Sequence, residues 1–354
     1  MRRLLVLLLL VVTVSSSFGQ GFGIPSKRGG IGFGNLAKFT GIRFNFKDRN
    51  VERINGVNVT VWQTKNDGDQ TGTVNGLSLG LPMSMGHSRQ NGISLGLFGV
   101  AATESLNGIN IGGLGAGSGQ SMTGFNFGGL GIGAGQDLRG INIGLLGAGA
   151  GGKVSGINIG GIGIGAGGSL SGFSFGGVGV GSGGNVSGIC IGGVGVGAGE
   201  SLTGLGVALV GIGAGEKIRG VNIAGIGIGA GEEVKGITIA GIGVGSAKVT
   251  GLAIAAAVGG VDVRGIIIAP AFFRVGGGNH EDDNGNVTME EGTMRGLSVS
   301  AYNRIKGQQR GVALGVVNYT RAIRGFQLGL INIVRDNPKG LRVLPIFNTK
   351  FGGK

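Results

Sequence analysis

The sequence predicts an all-β repeat protein, and three observations predict it. A sixteen-residue unit recurs with its leading glycine at Gly76, Gly92, Gly108, Gly124, Gly140, Gly156, Gly172, Gly188, Gly204, Gly220 and Gly236. Apolar residues inside the unit are spaced by two, the period of a strand, and no run keeps helical spacing. Glycine makes up 87 of the 354 residues, and at every second or third position it disfavours a helix by up to ~1 kcal/mol per site relative to alanine. A fixed period of this size marks each unit as a module that cannot bury its apolar side alone. The spacing slips to fifteen at Gly251 and fourteen at Gly265.

Within one unit, Ile157 and Ile159 flank Asn158, Ile162 and Ile164 flank Gly163, and a lone aliphatic (Val154, Leu170) precedes each leading glycine. Two β architectures fit. In a β-solenoid, one unit is one coil. Ile157 and Ile159 then point inward on one side, Gly160-Gly161 makes a corner, Ile162 and Ile164 point inward on the second side, and Leu170 from the third. Coils stack at ~4.8 Å, so equivalent residues form ladders. In an outer-membrane antiparallel β-barrel, one unit is one strand plus a turn, since ~9–11 residues cross an outer membrane. A bulge at Gly160-Gly161 would bring the aliphatic residues to the lipid side and leave Asn158 in the lumen. The likeness of every single unit, the recurring lone aliphatic and the need for a bulge in nearly every strand favour the solenoid. The longer-patterned C-terminal section, ending near Phe351, favours the barrel.

In chain order, residues 1–19 read as a secretory signal peptide: Arg2 and Arg3, an apolar run from Leu4 to Val12, and small residues before a cut near Gly19. Residues 20–75 read as an irregular N-terminal cap with the first repeats, at Gly41 and Gly56, and a polar loop from Gln63 to Gly72. Terminal repeats are atypical because they cover the open end of the core. Residues 76–273 form the regular array, broken by Ile266-Ile267-Ile268-Ala269-Pro270. Residues 274–294 are a polar, acidic loop, and residues 295–354 are basic repeats led by Gly296, Gly311, Gly325 and Gly340.

The closing units read Gly325-Phe326-Gln327-Leu328-Gly329-Leu330-Ile331-Asn332-Ile333 and, after Asn337-Pro338-Lys339, Gly340-Leu341-Arg342-Val343-Leu344-Pro345. This pattern resembles the short surface repeats of exported proteins of Bacteroidota and Leptospira, over roughly Gly41 onward. The resemblance implies an exported, envelope- or surface-associated protein of a Gram-negative bacterium, with no catalytic residue to carry over. The central units depart from it, with Ile-Gly-Ile-Gly in place of Leu-Ile-Asn-Ile.

The search for chemistry returns little. His87 and His280 sit at no metal-ligand spacing and read as solvated loop residues. Gly149 to Val154 lacks the Ser/Thr and the helix of a phosphate loop. Glu281, Asp282, Asp283, Asn284 and Asn286 form a weak calcium candidate, with oxygen donors but without the glycine and glutamate of an EF-hand. Cys190 is the only cysteine, so it has no internal disulfide partner and reads as a small side chain in the slot that Asn158 and Ser174 hold elsewhere. That slot is expected to face outward, as a ladder that either binds a repetitive polysaccharide or ties coils together. The net charge is +13, and residues 295–354 carry eleven Lys/Arg against one acid, Asp336. Basic surface on an exported chain points to cell-envelope polysaccharide, lipopolysaccharide or the outer membrane as partners. Too few aromatics are present for a base-stacking platform, so nucleic acid is not expected. No cofactor is implied. The readings in order of support are a non-enzymatic structural or adhesive surface protein, an outer-membrane pore of about nineteen strands (one per leading glycine), and a polysaccharide-acting enzyme. The last is weakest because no carboxylate cluster is apparent on consecutive coils.

Overall fold

The computed structural model describes residues 21–62, 71–277, 279–281, 287–289 and 291–351. They fall into two compact units that divide between Gly167 and Gly168. Both units are β-solenoids, and neither is a barrel: successive strands within each run parallel and in register at the repeat spacing, as Gly124 beside Gly140 and Gly204 beside Gly220 illustrate.

Each regular coil holds one long and one short strand. In the first unit Lys153–Gly160 is followed by Gly163–Ala166, and in the second Lys217–Ala224 is followed by Gly227–Ala230. Two-residue corners separate them. Corner backbone also stacks: Leu130 N donates to Leu114 O at 2.6 Å and Leu146 N to Leu130 O at 2.7 Å. The leading glycine sits mid-strand with a positive φ, such as +113° at Gly108 and +116° at Gly220. A Cβ there would lie 2.1 Å from the carbonyl oxygen of the leading glycine one coil back, both at Gly108 and at Gly220. Conformation and space therefore both demand glycine, which explains why this position never varies along the array.

The inward faces correct the sequence reading. Val154 and Ile164 are buried as expected. Asn158, however, is 0 % exposed, whereas Ile157 is 44 % and Ile162 53 % exposed, and Ile159 also faces out. Val154, Asn158 and Gly160 are buried on the inner side, whereas the leading Gly156 between them is exposed. That side has little room: a Cβ on Gly160 would meet Gly163 O at 2.3 Å. The interior accepts one aliphatic per long strand, one or two apolar residues per short strand, such as Ile164 and Ala166, and a slim amide. Each fully buried Leu or Ile of the lone-aliphatic column contributes about 1.5–3 kcal/mol.

The ends of the chain turn back on themselves. Phe22–Ser26 pairs antiparallel with Gly29–Phe33 in the first unit, and Val343–Thr349 pairs antiparallel with the strand Val317–Val334 in the second. The second case corrects the expectation of a further coil at Gly340, which lies in the short 3-10 turn Lys339–Leu341. Both strands carry a proline, Pro25 and Pro345. A proline removes a donor from an edge that could otherwise pair with another chain. The insertion between Phe272–Val275 and Thr293–Val299 contributes a hairpin, Asn279–Glu281 with Val287–Met289, and leaves the parallel register intact: Asp262–Ile268 pairs directly with Thr293–Val299.

Candidate functional site

The inverted alternation leaves a long apolar exterior. Residues one and three places after each leading glycine face out, and the next corner adds another aliphatic residue. In the first unit one coil presents Ile141, Leu145 and Leu146, and in the second Val221, Ile223 and Ile226 do so, all exposed. Outward positions between the leading glycine and this corner carry no charged residue from Gly76 to Ala256. Eight coils at ~4.8 Å make a band ~40 Å long in the first unit alone. Three aliphatic residues across, it exceeds the few hundred Å² that soluble monomers ordinarily expose in one patch. Its N-terminal end is aromatic: Phe22, Phe33 and Phe44 stack in succession at 5.4 and 5.6 Å, and Phe46 stacks on Trp62 at 6.5 Å.

Charge is kept off this band and placed just before the leading glycine. In the regular array basic side chains there meet carboxylates: Arg139 with Asp137 at 2.6 Å, Lys217 with Glu232 at 3.0 Å, and Arg219 with Glu233 at 3.0 Å. The Arg219 hydrogen bond, with Lys248 nearby, lowers the Glu233 carboxyl below its ordinary range. The C-terminal coils differ. Arg264, Arg295, Arg310 and Arg324 occupy the same place in four successive strands, directly in register. Like charges so placed repel. Asp262 pairs with Arg264 at 2.6 Å, and Gln308 accepts from Arg310 Nε at 2.8 Å. Among the described residues no carboxylate pairs with Arg295, Arg310 or Arg324.

Another side of the same coils holds a cleft of about 410 Å³ lined by Tyr302, Arg304, Lys306, Tyr319, Arg321 and Arg335, with Glu291 at its rim. Arg321 forms ion pairs with Glu291 and, at 4.0 Å, with Asp336, so part of its charge is already met.

The residues singled out from the sequence are not brought together. Asp282, Asp283, Asn284 and Asn286 of the calcium candidate lie outside the described residues, and of Glu281 only the backbone, in the hairpin, is described. Among the described residues no group of three His, Cys, Asp or Glu could hold a metal. Cys190 is buried and unpaired, and burial pushes its thiol up to about 11. No helix follows Val154, which lies in a strand. The asparagine slot faces inward, which removes it as a polysaccharide-binding surface and leaves its coil-tying role. Asn110, Asn126 and Asn142 each donate Nδ2 to the Oδ1 of the next asparagine at 2.8 Å, ending at Asn158.

Two features went unread. Glu200, Glu216 and Glu232 do stand on consecutive coils, joined by backbone bonds of 2.8 Å, so carboxylates are stacked after all. They share a step of sixteen, which was the available signal, but they sit on an exposed corner. The second feature is a buried polar cluster near the N-terminus. His87, expected in a solvated loop, is 1 % exposed and its Nε2 lies 3.2 Å from Asp48 Oδ2. Asp48 also accepts from Arg43 at 2.7 Å, Asn45 at 2.7 Å, Asn58 at 2.9 Å and Thr60 at 2.7 Å. Burial alone would raise this carboxyl, but the hydrogen bond and charge of His87, the Arg43 guanidinium and the Thr60 hydroxyl together hold it well below the usual carboxylate range. Nothing in the local sequence marks the pairing, which depends on Arg43 occupying the inward slot of its coil.

No protein-family model, curated protein or solved structure matches the chain. No described helix is long and apolar enough to cross a membrane.

Proposed function

We propose that this chain is a non-enzymatic, exported surface or envelope protein whose repeats serve a structural or adhesive role. The observation that carries the reading is the outward placement of the aliphatic pairs in coil after coil. Such a molecule offers long uniform surfaces. A rigid repeat of this kind suits side-on association with an extended partner, because stacking holds every ladder at a fixed spacing. The buried polar cluster fits a structural role, since the Asp48 carboxylate is matched by Arg43 and His87 away from solvent.

The test is expression of the full chain in a Gram-negative host, followed by fractionation, carbonate washing and N-terminal sequencing. The expected result is a mature chain beginning at Gln20, found in the envelope fraction or outside the cell and accessible to added protease on intact cells. A chain with its first nineteen residues intact that remains in the cytosol would overturn the reading.

A further inference from the structure

We infer that the outer surface of the C-terminal coils is a docking surface for a lipid bilayer bearing anionic phosphate headgroups. The inference deepens the envelope reading above and rests on it. It starts from two ladders that the fold sets side by side. Arg264, Arg295, Arg310 and Arg324 form one, and Ile266, Leu297, Val312 and Phe326 form the other, each in direct register across four strands. Arginine and apolar residue are two places apart in each strand, with a leading glycine between them, so both face outward. All four arginines are exposed, and Ile266 and Phe326 are 48 % and 41 % exposed.

Three points select an anionic bilayer over other occupants. First, a row of like charges one strand apart is unfavourable when solvated alone; in the regular array only two such cations adjoin in register, Arg219 and Lys235, and there Glu233 pairs with Arg219. Among the described residues, the C-terminal row lacks that compensation at three of its four arginines. Its complement is a partner with closely spaced negative charges, and guanidinium groups match phosphate oxygens in a bidentate fork. Second, the apolar row beside it is unsuited to a fully hydrated polyanion. A bilayer supplies both chemistries at the right separation: phosphates at the surface and acyl chains a few ångströms beneath. Third, the antiparallel strand Val343–Thr349 widens the apolar side without adding acid, placing exposed Phe347 beside Leu328.

The experiment uses the mature full chain and vesicle flotation. Vesicles of 30 % phosphatidylglycerol in phosphatidylcholine are compared with pure phosphatidylcholine. The expected result is co-flotation with the anionic vesicles and roughly a hundredfold weaker association with the neutral ones. Replacing Arg264, Arg295, Arg310 and Arg324 with Gln together is expected to reduce binding to anionic vesicles by a similar factor. The pair Ile266→Ser and Phe326→Ser is expected to leave binding that 0.5 M salt abolishes. Equal binding to both vesicle types would overturn the inference, and that comparison needs no variant. Binding to heparin or polyphosphate without binding to anionic vesicles would overturn it too, since the partner would then be a soluble polyanion. Self-association that hides the surface and prevents flotation would overturn it in favour of a second copy as the occupant. Failure on vesicles by a chain that still fractionates with the envelope sinks this inference alone. Retention in the cytosol sinks the reading beneath it.

Discussion

The inward slot two places after the leading glycine is filled differently in the two units. In the first it holds Arg43, Asn58, Ser78, Ser94, Asn110, Asn126, Asn142 and Asn158, polar throughout. In the second it holds Ser174, Cys190, Gly206, Asn222, Thr238, Ala253 and Ile267 before Ser298, Ala313 and Gln327. A polar side chain survives inside a solenoid when its neighbours one coil away complete its hydrogen bonds, because an unmet buried group costs about 1–3 kcal/mol. The first unit keeps an amide chain from Asn110 to Asn158. In the second, Asn222 stands between Gly206 and Thr238, and both its Oδ1 and its Nδ2 lack partners. The same slot thus carries a continuous amide chain in the first unit, with unmet atoms at Arg43 Nε and Asn110 Oδ1, and leaves both amide atoms of Asn222 unmet in the second.

The charged end of the first unit's column should give the largest effect. Replacing Asp48 with Asn leaves Arg43 and His87 buried without their carboxylate, and breaking such a cluster costs about 3–5 kcal/mol. Trp62, the only tryptophan, stacks on Phe46 and reports this end through its fluorescence. Its urea midpoint should fall sharply in Asp48→Asn. The pH dependence follows from the depressed carboxyl. The folded state prefers the ionised form, so this stabilisation is complete above the ordinary aspartate value of about 4. It is lost progressively as pH falls below that, because the unfolded chain takes up the proton first. The native protein should lose stability below about pH 4 by this route. An equal slope in Asp48→Asn would show that other groups govern it.

Next in size is a matched pair of truncations. Asn126→Ala removes the acceptor of Asn110 Nδ2 and the donor to Asn142 Oδ1, an expected cost of about 2–4 kcal/mol. Asn222→Ala in the second unit deletes an amide that has no partners to lose, so its effect should stay within about 1 kcal/mol of zero. Trp62 reports the first. The second is read from Cys190, whose buried, protonated thiol reacts with iodoacetamide only as its unit opens. Equal losses at both sites would mean that the amide chain adds nothing beyond packing.

The repeat, the strand period, the stacking in register and the need for glycine at the head of each unit were legible in the sequence, because each follows from period and composition. Which side of the strand is inside was not. Alternation at Ile157-Asn158-Ile159 defines two faces, and hydrophobicity alone assigns the isoleucines inward. The sign is set by width: a Cβ on Gly160 would meet Gly163 O at 2.3 Å, so the interior admits an asparagine that its neighbour bonds and excludes a pair of isoleucines. The surface proposed for lipid was visible only as a count of basic residues, since its meaning depends on Arg264 and Arg295, thirty-one positions apart, becoming neighbours. Asp48 and His87, thirty-nine positions apart, are joined only by the stacking of irregular coils.

The smallest expected effect is the most direct test of the comparison, because it attempts to turn one unit into the other. Gly206 lies beside Asn222 in register, and its φ is not in the left-handed region. A Cβ there would meet Asn222 Oδ1 at 2.6 Å and Ile212 Cδ1 at 3.2 Å, both ends of side chains that can move. Gly206→Asn should therefore be accommodated and should supply Asn222 with the amide neighbour that Asn142 has in Asn158. The hydrogen bond is worth about 1 kcal/mol, and replacing a strand glycine adds about 0.5 kcal/mol by restricting the unfolded chain. Gly206→Ala isolates the second contribution. Cys190, one coil back in the same slot, should be labelled more slowly in Gly206→Asn than in Gly206→Ala, and more slowly in both than in the native chain. Equal protection in the two variants would assign the gain to the backbone and leave Asn222 unsatisfied. Greater protection in Gly206→Asn would show that the second unit lacks cohesion at this slot only for want of a neighbouring amide.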